Sequence, residues 1–130
     1  MSFQRVHSGA PWEAVVGYCR ALRAGNLVYV TGTAPVAEDG SSVHAPGDAY
    51  AQTRRCLDII GSALAGLGVG MENVTRTRIF VTDITRWEEY GRAHREVFGA
   101  HPPTTTLVEV RALIHPDMLV EIEADAVADA

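Results

Sequence analysis

Leu119-Val120-Glu121-Ile122-Glu123-Ala124-Asp125-Ala126-Val127 alternates aliphatic and acidic residues through its middle, and in an extended chain successive side chains point to opposite faces. The run reads as a β-strand with a core face of Val120, Ile122 and Ala124 and a charged face of Glu121, Glu123 and Asp125. Upstream, Pro102-Pro103 forces an extended entry into residues 107–113, and His115-Pro116-Asp117 turns the chain back into 119–127. That pattern predicts a C-terminal β-hairpin. By alternation Val108 and Val110 join the core face, and Glu109 and Arg111 the charged one.

Toward the N-terminus, residues 74–81 alternate basic with apolar or β-branched side chains, which predicts a strand placing Arg76 and Arg78 on the charged face. Thr85-x-x-Glu88 has the form of a capping box and predicts a helix with the stripe Trp87, Tyr90, His94 and Val97, closed by Gly99. An earlier helix, capped by Asp48, carries Tyr50, Leu57, Ile60, Leu64 and Leu67 on one stripe and ends at Gly68. Residues 34–47, rich in Pro, Gly, Ser and Asp with a turn signal at Asp39-Gly40, form the loop before it. Residues 18–22 and 27–31 flank Ala24-Gly25-Asn26, which tolerates positive φ, and predict an N-terminal hairpin. The Gly66-x-Gly68-x-Gly70 run follows a helix and precedes a strand, the reverse of a dinucleotide-binding loop.

Two helices of about 10 Å diameter cover roughly one face of a five- or six-stranded sheet. The other face, which by this reading also carries Tyr29, Phe80, Leu107 and Leu119, is either solvated or an interface between copies. The apolar side chains among the charges favour the interface.

At 130 residues with 47% hydrophobic and 21% charged positions, the chain reads as one domain, residues 1–130, with a core of its own. A net charge of −5 with scattered arginines argues against nucleic acid. No stretch has the length of a membrane span and the N-terminus lacks a signal-peptide core, so the expected compartment is the cytoplasm. Cys19 and Cys56 have no metal or redox spacing and read as buried thiols. His7, His44, His94, His101 and His115 lack ligand spacing, so no metal site is expected. No Ser-His-Asp or Cys-His arrangement can be assigned.

Five stretches carry a resemblance that covers the chain nearly end to end. They are Tyr18 with Gly25-Asn26, Val30-Thr31-Gly32 with Pro35-Val36, Val81-Thr82-Asp83, Pro103-Thr104-Thr105-Thr106-x-Val108-Glu109-Val110, and Val120-Glu121-Ile122-Glu123-Ala124. Together they resemble the reactive intermediate deaminases, the Rid or YjgF family, once labelled ribonuclease-like translation inhibitors. The resemblance implies an α+β, chorismate-mutase-like fold and a homotrimer with inward sheets, outward helices and small-molecule pockets at the subunit interfaces. It also implies hydrolysis of 2-imino or 2-enamino acids to 2-oxo acids and ammonia with no cofactor.

Carried over residue by residue, the resemblance makes Tyr18 a pocket wall, Gly32 a point of close backbone approach to the ligand, and Glu121 the carboxylate that positions the attacking water. Active members hold the substrate carboxylate with an Arg where this chain has Thr105; Leu107 and Gly91 also differ, from a cysteine and an asparagine. A charge-assisted bond to a carboxylate contributes about 1.5–3 kcal/mol, which a threonine hydroxyl does not restore. Arg20, two residues beyond Tyr18 on the same strand face, is a compensating candidate. Thr105 and Thr106 are candidate hydroxyl donors, with backbone amides near Thr105 and Gly32 polarising the substrate. Each also has a structural alternative: Glu121 paired with Arg76, Arg78 or Arg111 on a polar sheet, Arg20 in a salt bridge, and the threonines as residues that strands favour.

Two readings of function follow. One is a hydrolase adding water to the C=N carbon of a reactive imine or enamine other than a simple imino acid, with Glu121 as base. The other is a trimeric small-molecule or partner-binding member without catalysis. Retained Glu121 supports the first, and Thr105, Leu107 and Gly91 support the second.

Overall fold

The computed structural model describes residues 2–129. It contains β1 (Gln4–Val6), α1 (Pro11–Val16), β2 (Ala21–Ala24), β3 (Leu27–Thr33), α2 (Ala49–Gly66), β4 (Val74–Val81), α3 (Trp87–Phe98), β5 (Thr104–Glu109) and β6 (Val120–Val127), with short 3₁₀ turns at Met71–Asn73 and Ile84–Arg86. The six strands form one mixed sheet in the order β1-β2-β3-β6-β4-β5. All pairs are antiparallel except β4 with β5, which is parallel.

The long helices pack on one face, as the expected α+β architecture requires. Val28 and Val30 of β3, Ile79 and Val81 of β4, and Val120, Ile122, Ala124 and Ala126 of β6 are buried beneath Leu57, Ile60 and Leu64 of α2 and Tyr90 and Phe98 of α3. The other face carries Tyr29, Arg78, Phe80, Val108, Glu123 and Asp125. Arg78 pairs there with Glu123 at 3.0 Å and Asp125 at 3.5 Å. No helix of the described residues is long and apolar enough to cross a membrane.

The predicted N-terminal hairpin is present as β2 and β3, with Gly25 at φ 64° in the turn. Asp48 caps α2, accepting from the Ala51 amide at 2.9 Å. The predicted C-terminal hairpin does not form. Helix α3 links β4 to β5 and supplies the crossover that a parallel pair needs, so β5 lies outside β4 while β6 fills the gap between β3 and β4. Strand β5 also begins at Thr104, directly after the proline pair, and its register sets Leu107 beside Ile79. Leu107 therefore packs on the core and Val108 lies on the open face, 41% exposed, the reverse of the expected alternation.

The expected Thr85 capping box is replaced by Asp83, which accepts from both the amide and the hydroxyl of Thr85, and a 3₁₀ turn precedes α3. Trp87, expected on the buried stripe, is exposed, while Tyr90 is fully buried with its hydroxyl donating to the Asp83 carbonyl. Strand β1 and helix α1 have no counterpart in the sequence reading.

Ile60 is fully buried and Val15 is 86% exposed. Ile60→Ala is expected to lower unfolding stability by roughly 2–5 kcal/mol in a denaturant titration, and Val15→Ala to stay within about 0.5 kcal/mol.

Candidate functional site

The register between β3 and β6 shifts between Val30 and Thr33, a bulge that takes in Thr31 and Gly32. A Cβ built on Gly32 would lie 2.5 Å from Oε2 and 3.2 Å from Cδ of Glu121, a separation that no bonded side chain tolerates. The missing side chain at residue 32 is the space that the carboxylate occupies.

Arg20, just ahead of β2, reaches the same place. Its Nη1 donates to the Gly32 carbonyl at 2.9 Å and to Thr33 Oγ1 at 3.3 Å, and its Nη2 donates to Glu13 Oε2 at 3.2 Å. The guanidinium lies 5.6 Å from the centre of the Tyr18 ring. The side chain is 6% exposed, and Nε is buried without a partner. Arg20 therefore forms the salt bridge weighed as its structural alternative, but a buried one at the candidate site.

Glu13 anchors that arginine from the first turn of α1, a helix opened by Pro11 at its first position. Its carboxylate accepts from the Ser8 amide at 3.1 Å and from the Ser8 hydroxyl. Burial pushes the Glu13 pKa up, but the Ser8 hydrogen bonds and the Arg20 charge outweigh it and hold the group below its ordinary value. The stability this pairing contributes is present above the ordinary carboxylate range and lost as pH falls through the depressed pKa.

Glu121 is the opposite case. Burial raises its pKa, Arg20 opposes the rise and Glu123 adds to it, leaving the net shift upward. The folded state binds the proton more tightly than the unfolded chain, so ionising Glu121 costs stability as pH rises from the ordinary carboxylate range through the raised value. A carboxylate whose charged form is disfavoured by burial is a stronger base than an exposed one.

A cavity of about 420 Å³ opens over these groups, within the size range of small-molecule sites. Tyr18, Arg20, Gly32 and Glu121 line it together. The sequence reading missed Glu13, which reaches the site through Arg20, and the lining residues Arg55, Trp12, Val16, Ile59 and Ile114. Pro11-Trp12-Glu13 is a helix-start signal that would have located the first of these. Arg55 was hidden because α2 was read only for its apolar stripe.

Thr105 and Thr106 do not line this cavity. Thr105 Oγ1 lies 2.8 Å from Thr77 Oγ1, which lies 2.9 Å from His94 Nε2. Thr106 lies opposite Arg78, on the open-face side of the edge strand β5. His94, lowered in pKa by burial and tilted 44° against the Phe98 ring at 4.6 Å, packs on the helix side as expected. Cys56 is fully buried with its thiol pKa pushed well up, whereas Cys19 is only half-buried.

The sequence pattern of the family described as Endoribonuclease L-PSP matches residues 8–128. An uncharacterized protein of Streptomyces coelicolor is 39% identical over 123 residues, covering 95% of this chain and 90% of that one. The 3-aminoacrylate deaminase RutC of Acinetobacter baylyi is 37% identical over 109 residues, covering 84% of this chain and 85% of that one. Among solved structures, Rv2704 of Mycobacterium tuberculosis, described as a member of the YjgF/YER057c/UK114 family, is 47% identical with a TM-score of 0.88, covering 98% of this chain and 100% of that one. The YjgF gene product of E. coli is 26% identical with a TM-score of 0.84, covering 97% and 99%.

Gly32→Ala is expected to displace the Glu121 carboxylate without unfolding the chain. Circular dichroism should stay unchanged while the pKa of Glu121, followed by NMR, moves away from its wild-type value. An unchanged pKa would mean that the close approach does not hold the carboxylate.

Proposed function

This chain belongs to the Endoribonuclease L-PSP family, the YjgF or reactive intermediate deaminase family, and we propose that it hydrolyses a reactive imine or enamine to a carbonyl compound and ammonia. The observation that carries the reading is the half-buried carboxylate of Glu121, raised in pKa and seated against Gly32 in a cavity of ligand size. The 37% identical relative described as a 3-aminoacrylate deaminase supports it, since 3-aminoacrylate is an enamine.

In this mechanism Glu121 takes a proton from a water as its oxygen adds to the C=N carbon, and the C=N π electrons move to nitrogen. The nitrogen takes the proton held by Glu121 and a second from solvent, the C–N bond breaks with its electron pair leaving on ammonia, and the hydroxyl returns one proton to solvent to give the carbonyl. One water is consumed for each ammonia released. The Arg20 guanidinium beside the site opposes the rise that burial imposes on the Glu121 pKa. Tyr18 forms the wall beneath that guanidinium.

The working assembly in this reading is the homotrimer, with the cavity completed by a neighbouring copy. Tyr29, Phe80 and Val108 on the open sheet face and the exposed edge strand β5 support a contact there. Thr105 and Thr106 would then contribute across the interface. One observation favours the non-catalytic alternative: the Thr105 hydroxyl is already engaged with Thr77 and His94, so it offers a ligand less than a free donor would.

Ammonia release from imines generated in situ by an amino-acid oxidase tests the reading. The wild-type protein is expected to accelerate release, and Glu121→Gln to lower kcat by about 100-fold or more. Wild-type protein that leaves the spontaneous rate unchanged, while still binding 2-oxo acids, would replace the hydrolase with a binding protein.

A further inference from the structure

Arg55 is a cation in the cavity that the proposed chemistry does not use. It projects from α2, and its Nε donates to the Val36 carbonyl at 2.7 Å, which fixes the guanidinium against the cavity wall. Among the described residues its Nη1 and Nη2 carry no hydrogen bond or ion pair, whereas the Nη atoms of Arg20 are committed to Gly32, Thr33 and Glu13. Arg55 and Glu121 line the same cavity, and among the described residues no ion pair joins them. The lining also includes the apolar side chains Trp12, Val16, Ile59 and Ile114, and one further acidic residue, Glu38.

We propose that Arg55 is the specificity residue of this pocket, and that the substrate is an imine or enamine bearing one carboxylate, held by the Arg55 Nη pair, and a branched or aromatic apolar body. The inference rests on the hydrolase reading above only for the words imine and enamine; the recognition of a carboxylate with an apolar body stands without it. Two parallel Nη donors match the two oxygens of a carboxylate. A single uncommitted cation fits a monoanion better than a phosphate monoester, which carries nearly twice the charge. The apolar side chains have no hydrogen bond to offer and reward a ligand that buries hydrocarbon. Arg55 thereby takes up, from α2 of the same chain, the task for which Thr105 lacks the charge.

The test is binding of inert product analogues, read by calorimetry so that turnover is not needed: 4-methyl-2-oxopentanoate, its methyl ester, and the smaller 2-oxopropanoate. The wild-type protein is expected to bind the branched acid about tenfold or more tighter than the ester, and tighter than the small acid. Arg55→Gln should remove the preference for acid over ester while leaving ester affinity in place, and Arg55→Lys should restore part of it. Equal weakening of acid and ester by Arg55→Gln, an unchanged preference, or no binding of either acid by the wild-type protein would overturn the assignment. A protein that releases no ammonia yet shows the Arg55-dependent preference would sink the hydrolase and keep this inference. One that hydrolyses imino acids with KM unaltered by Arg55→Gln would do the reverse.

Discussion

The carboxylate of Glu121 stands where residue 32 would otherwise place a side chain. That exclusion ties together features that are separate in the sequence. It needs a glycine at 32, the bulge that shifts β3 against β6, and a central β6 whose buried aliphatic face fixes the direction of its acidic face. The Gly32 carbonyl also accepts from Arg20, so one backbone residue meets both the carboxylate and the guanidinium.

Around that point the molecule sets two carboxylates in contrasting states. Glu13 is buried but satisfied by Ser8 and Arg20, and it behaves as a structural anion that fixes the guanidinium. Breaking such a pair from one side leaves an uncompensated buried charge, which makes the anchor costly to remove. Glu121 is half-buried, its charge opposed by Glu123 and relieved only in part by Arg20. Stability is given up at Glu121 and recovered in the core beneath it, where Val120 and Ile122 are fully buried on the same strand.

Most of this was legible in the sequence because it rests on local periodicity. The alternation in β6, the Gly25-Asn26 turn after β2 and the Asp48 cap are each dictated by a few neighbouring residues. The errors arose where a distant partner decides. Strand β5 could not be placed without knowing that both edges of β6 are occupied, and its one-residue frame follows from pairing with β4. Likewise the motif residues Tyr18, Gly32 and Glu121 were legible, while Glu13 and Arg55 acquire a role only when α1 and α2 are folded against them. Arg20 was found by the simple rule that residues two apart share a strand face, although it lies one residue ahead of β2.

The proposed chemistry depends on the surroundings of Glu121 holding its pKa above the ordinary value. The most direct measurement is the side-chain carboxyl titration of Glu121 by carbon-detected NMR, with Glu13 followed in the same spectra. Glu121 is expected to titrate above the ordinary glutamate value and Glu13 below it. A Glu121 pKa at or below the ordinary value would contradict the account and leave the residue a solvated member of a polar sheet face.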